Sequence, residues 1–378
     1  NILNKYGGKL IFSSGNSTLS SVDILSKELK NIEMTNLKAA EDYLKRHKIK
    51  KEKLVNIVMQ FSNLKVCIVG DIIIDEYILC KPIGMSQEDP TLVVTPISEK
   101  DFIGGAGIVA AHSSGLGSST KLISVIGKDK LGKKTKKMLD NAGVHSYLID
   151  DESRPTTLKQ KFRRQNHSLL KITRMQQHSI SKEIQHDILK NFKKLSKSTD
   201  LLIFSDFNYG CLPKKLVDQI LSECKKKKVF VAADSQSSSQ LGDVSKYKDA
   251  DLVTPTEHEA RISTGSKDDG LVVLSSELAK KSKAKKILLK LGEEGLLIHN
   301  VSKKEGMFLT DRLNALNQEP IDTSGAGDSL LISSALALKV GASIWEAAYI
   351  GSVAAAIQVG RVGNVPLKSK EIIEYLKK

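Results

Sequence analysis

The chain has 378 residues, of which 40% are hydrophobic and 27% charged, so it is no mini-protein and its composition argues against a largely disordered or fibrous chain. Lys and Arg number 58 against 43 Asp and Glu, a formal charge of +15 that favours anionic partners. Aromatics make up only 5% and barely interleave with the basic runs Lys133–Lys137, Lys225–Lys228 and Lys280–Lys286, which speaks against a stacking platform for nucleic acid and leaves those runs as solvated helix faces.

Residues 1–60 read as an N-terminal extension or linker: a polar piece with a Ser-rich run from Ser13 to Ser21, then a charged helical stretch from Glu28 to Lys53. The first residue is Asn1, and the numbering is expected to begin inside a longer chain or after processing. From Leu64 onward short apolar runs alternate with amphipathic helices. Strands are predicted over Val66–Val69, Lys121–Val125, Leu201–Phe204, Val229–Ala232, Leu252–Val253, Ile287–Lys290 and Leu296–His299. Helices are predicted over Lys130–Ala142, Lys182–Ser196, Pro213–Lys227 and Leu271–Lys281. Continuous apolar strands alternating with helices imply a doubly wound, mostly parallel α/β sheet with helices on both faces. Residues 78–97 and 156–172 break that rule, mixing polar and apolar residues at strand spacing, and are expected to form a small second sheet.

Cys67, Cys80, Cys211 and Cys224 form neither a C-x-x-C pair nor a metal-ligand spacing, which fits a reducing cytoplasm. No secretory leader stands out, and the apolar stretch Leu330–Val359 is interrupted by Lys339, Gly341, Glu346 and Gly351, so no membrane partner is expected.

The segment richest in chemistry is Asp322-Thr323-Ser324-Gly325-Ala326-Gly327-Asp328, leading into a helical pattern over Ser329–Lys339. Small residues entering a helix expose backbone N–H groups where negative charge is stabilised, and a carboxylate in the same turn can take a proton from a hydroxyl beside it. Taken alone, the segment reads as readily as a plain cap at Asp328 with glycines that only turn the chain as it does as a catalytic site. A second turn, Gly104-Gly105-Ala106-Gly107 followed by Ala110, contains G-x-G-x-x-A and admits a dinucleotide-binding oxidoreductase. Ser98–Asp101 is polar, however, and no buried strand is predicted to run into that turn, which weakens the match. No G-x-x-x-x-G-K-[ST] occurs.

In order, Val69-Gly70-Asp71 through Asp75-Glu76-Tyr77, Ser86-Gln87-Glu88-Asp89-Pro90, the Gly104–Ala106 turn, Ser205-Asp206, Thr254-Pro255 with Glu259, and the Asp322–Asp328 run resemble the ribokinase, or PfkB, family of carbohydrate kinases. The likeness runs from about Leu64 to the C-terminus, and within the family it is closest to the D-glycero-D-manno-heptose 7-phosphate kinase domain of ADP-heptose synthesis. The resemblance implies a kinase domain over 61–378 whose small sheet is a lid, a homodimer formed through that lid, ATP and Mg²⁺, and a monovalent cation as a further candidate activator. It implies that Asp328 is the base, Gly325, Ala326 and Gly327 the anion hole, and Asp71, Gly104 and Gly105 the binders of sugar hydroxyls. It also implies Glu259 for Mg²⁺ through water, and Thr256, Gly292, Gly295 and Thr323 for the nucleotide. The basic stretch Lys159, Lys161, Arg163 and Arg164 lies in the expected lid, where it suits a second phosphate on the sugar or plain exposed charge.

Ile108 stands where the family has a sugar-binding Asn, Thr256 where its N-x-x-E begins, and Tyr209 and Gln236 where heptose kinases have lysines. These departures bear on the acceptor more than on the reaction, and they keep a non-catalytic sugar- or nucleotide-binding protein open as the alternative. The segment from Tyr6 to Thr18 weakly resembles the tail of a sugar-phosphate nucleotidylyltransferase, which leaves residues 1–60 open as either a plain extension or linker with a Ser-rich loop or the remnant of such a domain fused upstream.

Overall fold

The computed structural model describes residues 40–165, 167–237, 242–301 and 310–377. Strand β1 (Lys65–Gly70) places Val66 and Ile68 in one core and Cys67 and Val69 in another. A strand apolar on both sides needs helices on both. On the first side lie α1 (Lys51–Met59), α2 (Ala106–Gly115), α3 (Lys130–Asn141), α8 (Ala326–Lys339), α9 (Ile344–Val359) and α10 (Ser369–Lys377). On the second lie α4 (Lys182–Leu195), α5 (Lys214–Lys227), α6 (Glu257–Thr264) and α7 (Leu271–Ser282). Among the described residues this sheet runs in the order β13 (Thr310–Leu313), β12 (Leu296–Asn300), β11 (Lys286–Lys290), β10 (Leu252–Val253), β9 (Phe230–Ser235), β8 (Leu201–Asp206), β1, β4 (Ser119–Gly127), β5 (His145–Asp151). All its pairs are parallel except β11–β12 and β12–β13, so the doubly wound α/β expectation holds.

The second sheet has the order β3 (Leu92–Gly105), β2 (Ile72–Met85), β6 (Leu158–Arg164), β7 (His167–Arg174). It reaches closer to the first sheet than the sequence suggested, because only Asp71 separates β1 from β2. The polar stretch Ser98–Asp101 is strand after all, and β3 runs straight into the Gly104–Gly107 turn. That strand is antiparallel to β2 and belongs to the small sheet, so the turn lacks the parallel strand that a dinucleotide fingerprint requires. β5 went unpredicted because its half-exposed residues carry no clear apolar run.

Residues 40–60, placed outside the kinase domain by the sequence reading, pack into its core. Tyr43 and Phe61 are fully buried, the Tyr43 hydroxyl donates to the Trp345 carbonyl at 2.9 Å, and His47 stacks on Trp345 with ring centres 4.2 Å apart. A division at residue 60 therefore cuts through a packed unit. The remainder of the N-terminal reading, including Tyr6–Thr18, lies outside the described residues. No helix among the described residues is long and apolar enough to cross a membrane.

Candidate active site

The carboxyl ends of β9 and β11, the first turn of α8 and one face of the small sheet enclose a cavity of about 870 Å³. Gly325 precedes α8 with φ of 77°, a left-handed conformation that glycine adopts without strain. It turns the chain into α8, whose opening amides have no partner within the helix, and Gly325, Ala326 and Gly327 line the cavity there. Asp328 follows in the same turn, 6% exposed, accepting from Gln236 Nε2 at 3.3 Å through Oδ1. Burial, reinforced by the charge of Asp234, pushes its carboxyl up to about 7, with Lys290 opposing.

Gly292 and Gly295, expected at the nucleotide, flank the tight turn between β11 and β12 and line the cavity with Thr256 and Thr323. An apolar slot beside them is formed by Leu296, Leu316, Leu330, Ala355, Ala356 and Val359. Thr256 caps α6: its hydroxyl accepts from Glu259 N at 3.2 Å, while Glu259 Oε2 accepts from Thr256 N at 2.7 Å. Glu259 Oε1 accepts from Ser237 N at 3.0 Å, so backbone amides fix both of its oxygens at the cavity wall. Among the described residues no three His, Cys, Asp or Glu side chains converge as a metal site. A carboxylate pinned in this way fits a metal reached through water better than one bound directly.

Among the residues expected to bind sugar hydroxyls, one is corrected. Asp71 does not line the cavity. Its Oδ2 accepts from Phe207 N at 2.9 Å and Tyr209 N at 3.3 Å, and its Oδ1 from Cys211 N at 3.2 Å, so it organises the 207–211 turn. Burial and the charge of Asp206 hold its carboxyl up at about 7. The carboxylate that does face the cavity is Asp75, four residues on, which accepts from Asn364 Nδ2 at 2.9 Å. Burial raises its pKa, opposed by Lys161 and Lys159. Gly105 lines the cavity, whereas Gly104 does not; a Cβ there would collide with the Asp75 carboxylate, so Gly104 makes room for that side chain. Ile108 is fully buried inside α2 and away from the cavity, and the carboxamide beside Asp75 comes instead from Asn364.

The pairing of β2 with β6 sets Asp75 opposite Lys159 and Tyr77 opposite Lys161. Lys159 reaches over the Phe207 and Tyr209 rings at 5.1 and 5.4 Å, and Lys161 Nζ donates to Tyr77 Oη at 2.9 Å and Ser324 Oγ at 2.8 Å. Arg163 Nη1 meets Asp322 Oδ2 at 3.2 Å, so β6 is tied directly to the turn before α8. Behind Lys161 a second hollow of about 260 Å³ is lined by Tyr77, Arg163, Ser168 and Lys171. Arg164 lies exposed at the end of β6 and lines neither hollow. Sequence reasoning missed Asp75, Asn364, Asp234 and Lys290. The period-two alternation that puts Asp75, Tyr77, Lys159 and Lys161 on one face was a signal available for Asp75.

A profile described as pfkB family carbohydrate kinase matches residues 63–370. The bifunctional protein HldE of Helicobacter hepaticus is 30% identical over 325 residues, covering 84% of this chain and 65% of that protein. HldE of Desulfatibacillum aliphaticivorans is 32% identical over 319 residues, covering 83% and 63%. The chain thus spans less than two thirds of the length of these two relatives. Among solved structures, Arabidopsis thaliana ribokinase complexed with ribose and ATP superimposes with a TM-score of 0.64 at 20% identity, over 83% of this chain and 99% of that one. Phosphofructokinase-2 from Escherichia coli in complex with potassium gives 0.67 at 16% identity, over 83% and 99%. With one profile spanning both sheets and the turn that carries Asp328, the chain belongs to the pfkB family of carbohydrate kinases.

Proposed function

We propose that the protein transfers the γ-phosphoryl group of ATP to a hydroxyl of a sugar phosphate, a heptose 7-phosphate being the acceptor that best fits the site. The observation that carries this reading is the placement of Asp328, buried in the first turn of α8, in one cavity with Asp75 on the small sheet. The acceptor lies between them, its hydroxyls bonded to Asp75 and Asn364. Asp328 takes the proton of the attacking hydroxyl, the oxygen bonds to the γ-phosphorus, and the bond to the bridging oxygen breaks to release ADP. The α8 amides stabilise charge on the phosphoryl group in flight. The small sheet, carrying Lys159 and Lys161, covers the acceptor and excludes water. The hollow behind Lys161 suits the acceptor's own phosphate, with Lys161, Lys171 and Tyr77 as donors. Mg²⁺, reached through water by Glu259, would neutralise nucleotide phosphate charge.

A cytoplasmic setting is supported by four buried, free cysteines. Ile83, Met85, Leu92 and Ile97 stay exposed on the β2–β3 hairpin and support a homodimer through the small sheet, to be checked by sedimentation. The name bifunctional and the greater length of these two relatives support a second activity beside the kinase in proteins of this kind.

The test is ADP release with Mg-ATP over a panel of sugars and sugar phosphates, in sodium and in potassium salts, with Asp328→Asn alongside. Phosphorylation of one acceptor, lost in the variant, supports the reading and names the substrate. An active Asn variant removes Asp328 from its role, and nucleotide binding without turnover of any acceptor favours a binding protein on the same fold.

A further inference from the structure

Lys290 ends β11, and its side chain crosses the sheet edge to Asp234 on β9, with Nζ 2.8 Å from Oδ2. The strand between them, β10, has only two residues, and this leaves a notch at the carboxyl edge. Two strand spacings come to roughly 10 Å, a gap bridged by the lysine stem, the Asp234 side chain and the 2.8 Å contact between them. The ammonium then lies directly behind the opening turn of α8. A Cβ built on Gly327 would stand 3.3 Å from Lys290 Nζ and 3.6 Å from its Cδ. The Lys290 amide also donates to the Pro255 carbonyl at 2.8 Å, which fixes the turn holding Thr256 and Glu259. One lysine therefore braces three walls of the cavity: β9, the α6 cap and the α8 turn.

Burial alone would lower the ammonium pKa, but Asp234, Glu259 and Asp328 outweigh it and the net shift is upward. The side chain is 13% exposed and that of Asp234 is 2% exposed. Burying such a pair costs desolvation that its attraction rarely exceeds, and apolar side chains of similar volume would hold the sheet as well. The pair thus contributes something other than stability, and the side of Lys290 away from Asp234 opens on the cavity beside Gly327.

Building on the phosphoryl-transfer reading above, we propose that Lys290 is a positioning residue for that step, its Asp234-held ammonium backing the α8 amides and favouring the transferring phosphoryl group over the ground-state nucleotide. It acts through the α8 turn and through Asp328, whose proton affinity it lowers. Nothing in the proposal requires Lys290 to exchange a proton.

The experiment compares parent protein, Lys290→Met, Lys290→Arg and the double variant Lys290→Met/Asp234→Asn, which removes both charges and guards against misfolding caused by an orphaned Asp234. Calorimetry with Mg-ADP, and with Mg-ADP plus aluminium fluoride as a planar phosphoryl mimic, needs no acceptor. The expectation is that the double variant binds Mg-ADP within about twofold of the parent but the fluoride complex at least ~100-fold more weakly, the scale on which one oxyanion donor acts. Arg at 290 should recover most of that loss. In turnover, kcat of Lys290→Met falls by a similar factor with acceptor KM within about threefold, and the acid limb of its pH–rate profile moves to higher pH because an ammonium that lowered the Asp328 pKa is gone. A folded double variant that binds both ligands like the parent overturns the proposal, as does a parent that binds no nucleotide. A parent that binds both ligands but phosphorylates no acceptor counts against the kinase reading alone, and the two affinities still decide the role of Lys290.

Discussion

The two sheets of this protein solve opposite problems. The large sheet is covered by helices on both faces, and β1 and β8 send alternate residues into two separate cores. The small sheet turns Asp75, Lys159 and Lys161 toward the cavity and leaves Leu170 and Ile172 of β7 exposed. Residues of the large sheet therefore report mainly on stability, and those of the small sheet on what is bound. The carboxyl edge, where Asp234, Lys290 and Asp328 meet, is where the two roles overlap.

The largest effect should come from that overlap. Asp328→Asn should lower kcat by ~10³-fold while leaving ATP affinity nearly unchanged, since a general base typically contributes 10²–10⁴-fold. Its folded carboxyl titrates near 7, above the range of an unfolded Asp, so charging it costs the folded state stability as pH rises from about 4 to about 7. The Asn variant should accordingly melt higher than the parent at pH 8 and not at pH 4, by differential scanning calorimetry. A variant that is inactive and also less stable at pH 8 would mean that the turn, and not the base, had been lost.

On the purely structural side, Phe61→Ala should cost about 3–5 kcal/mol in denaturant unfolding, as for a fully buried aromatic, with KM unchanged for any molecules still folded. A change in acceptor KM would show that the helical segment below residue 64 is coupled to the site. On the small sheet, Lys161→Met should raise KM for a phosphorylated acceptor ~10–100-fold, the worth of a hydrogen bond to a charged group, and leave KM for the unphosphorylated sugar nearly unchanged. Equal losses on both acceptors would transfer Lys161 from recognition to holding the Tyr77 and Ser324 hydroxyls in place. The smallest expected effect is the pH profile of the parent itself: kcat/KM should rise through about pH 7 as Asp328 loses its proton. A rising limb below pH 5 would place the base in a more solvated setting than its burial indicates.

The large sheet was legible because Val66–Val69 and Leu201–Phe204 are uninterrupted apolar runs, the mark of strands buried on both faces. The Asp322–Asp328 turn was legible because its glycines and its acid are consecutive. The rest fails for physical reasons. Asp71 and Asp75 flank the same apolar triplet, and which of them faces the ligand depends on the 207–211 turn, more than 130 residues away in sequence, whose amides capture Asp71. Asn364 and Lys290 acquire meaning only from Asp75 and Asp234, partners that no local pattern connects to them. The helical stretch before residue 60 looked like a linker because its basic outer residues outnumber the few, such as Tyr43 and Leu54, that enter the core.

The single residue between β1 and β2 has a mechanical consequence. The chain leaves the large sheet at Asp71 and returns beside it, where Ala106 N donates to the Asp71 carbonyl at 2.9 Å, so both crossings lie at one point. Strand β2 extends from that point as a long arm. At about 3.3 Å per residue, Asp75 sits roughly 13 Å from that point and Met85 more than three times as far. A rocking of β2 about that point would carry Asp75 about 30% as far as the tip. Substitutions near the tip therefore change what the far end of β2 rests against while leaving the Asp75 end, close to the large sheet, in place.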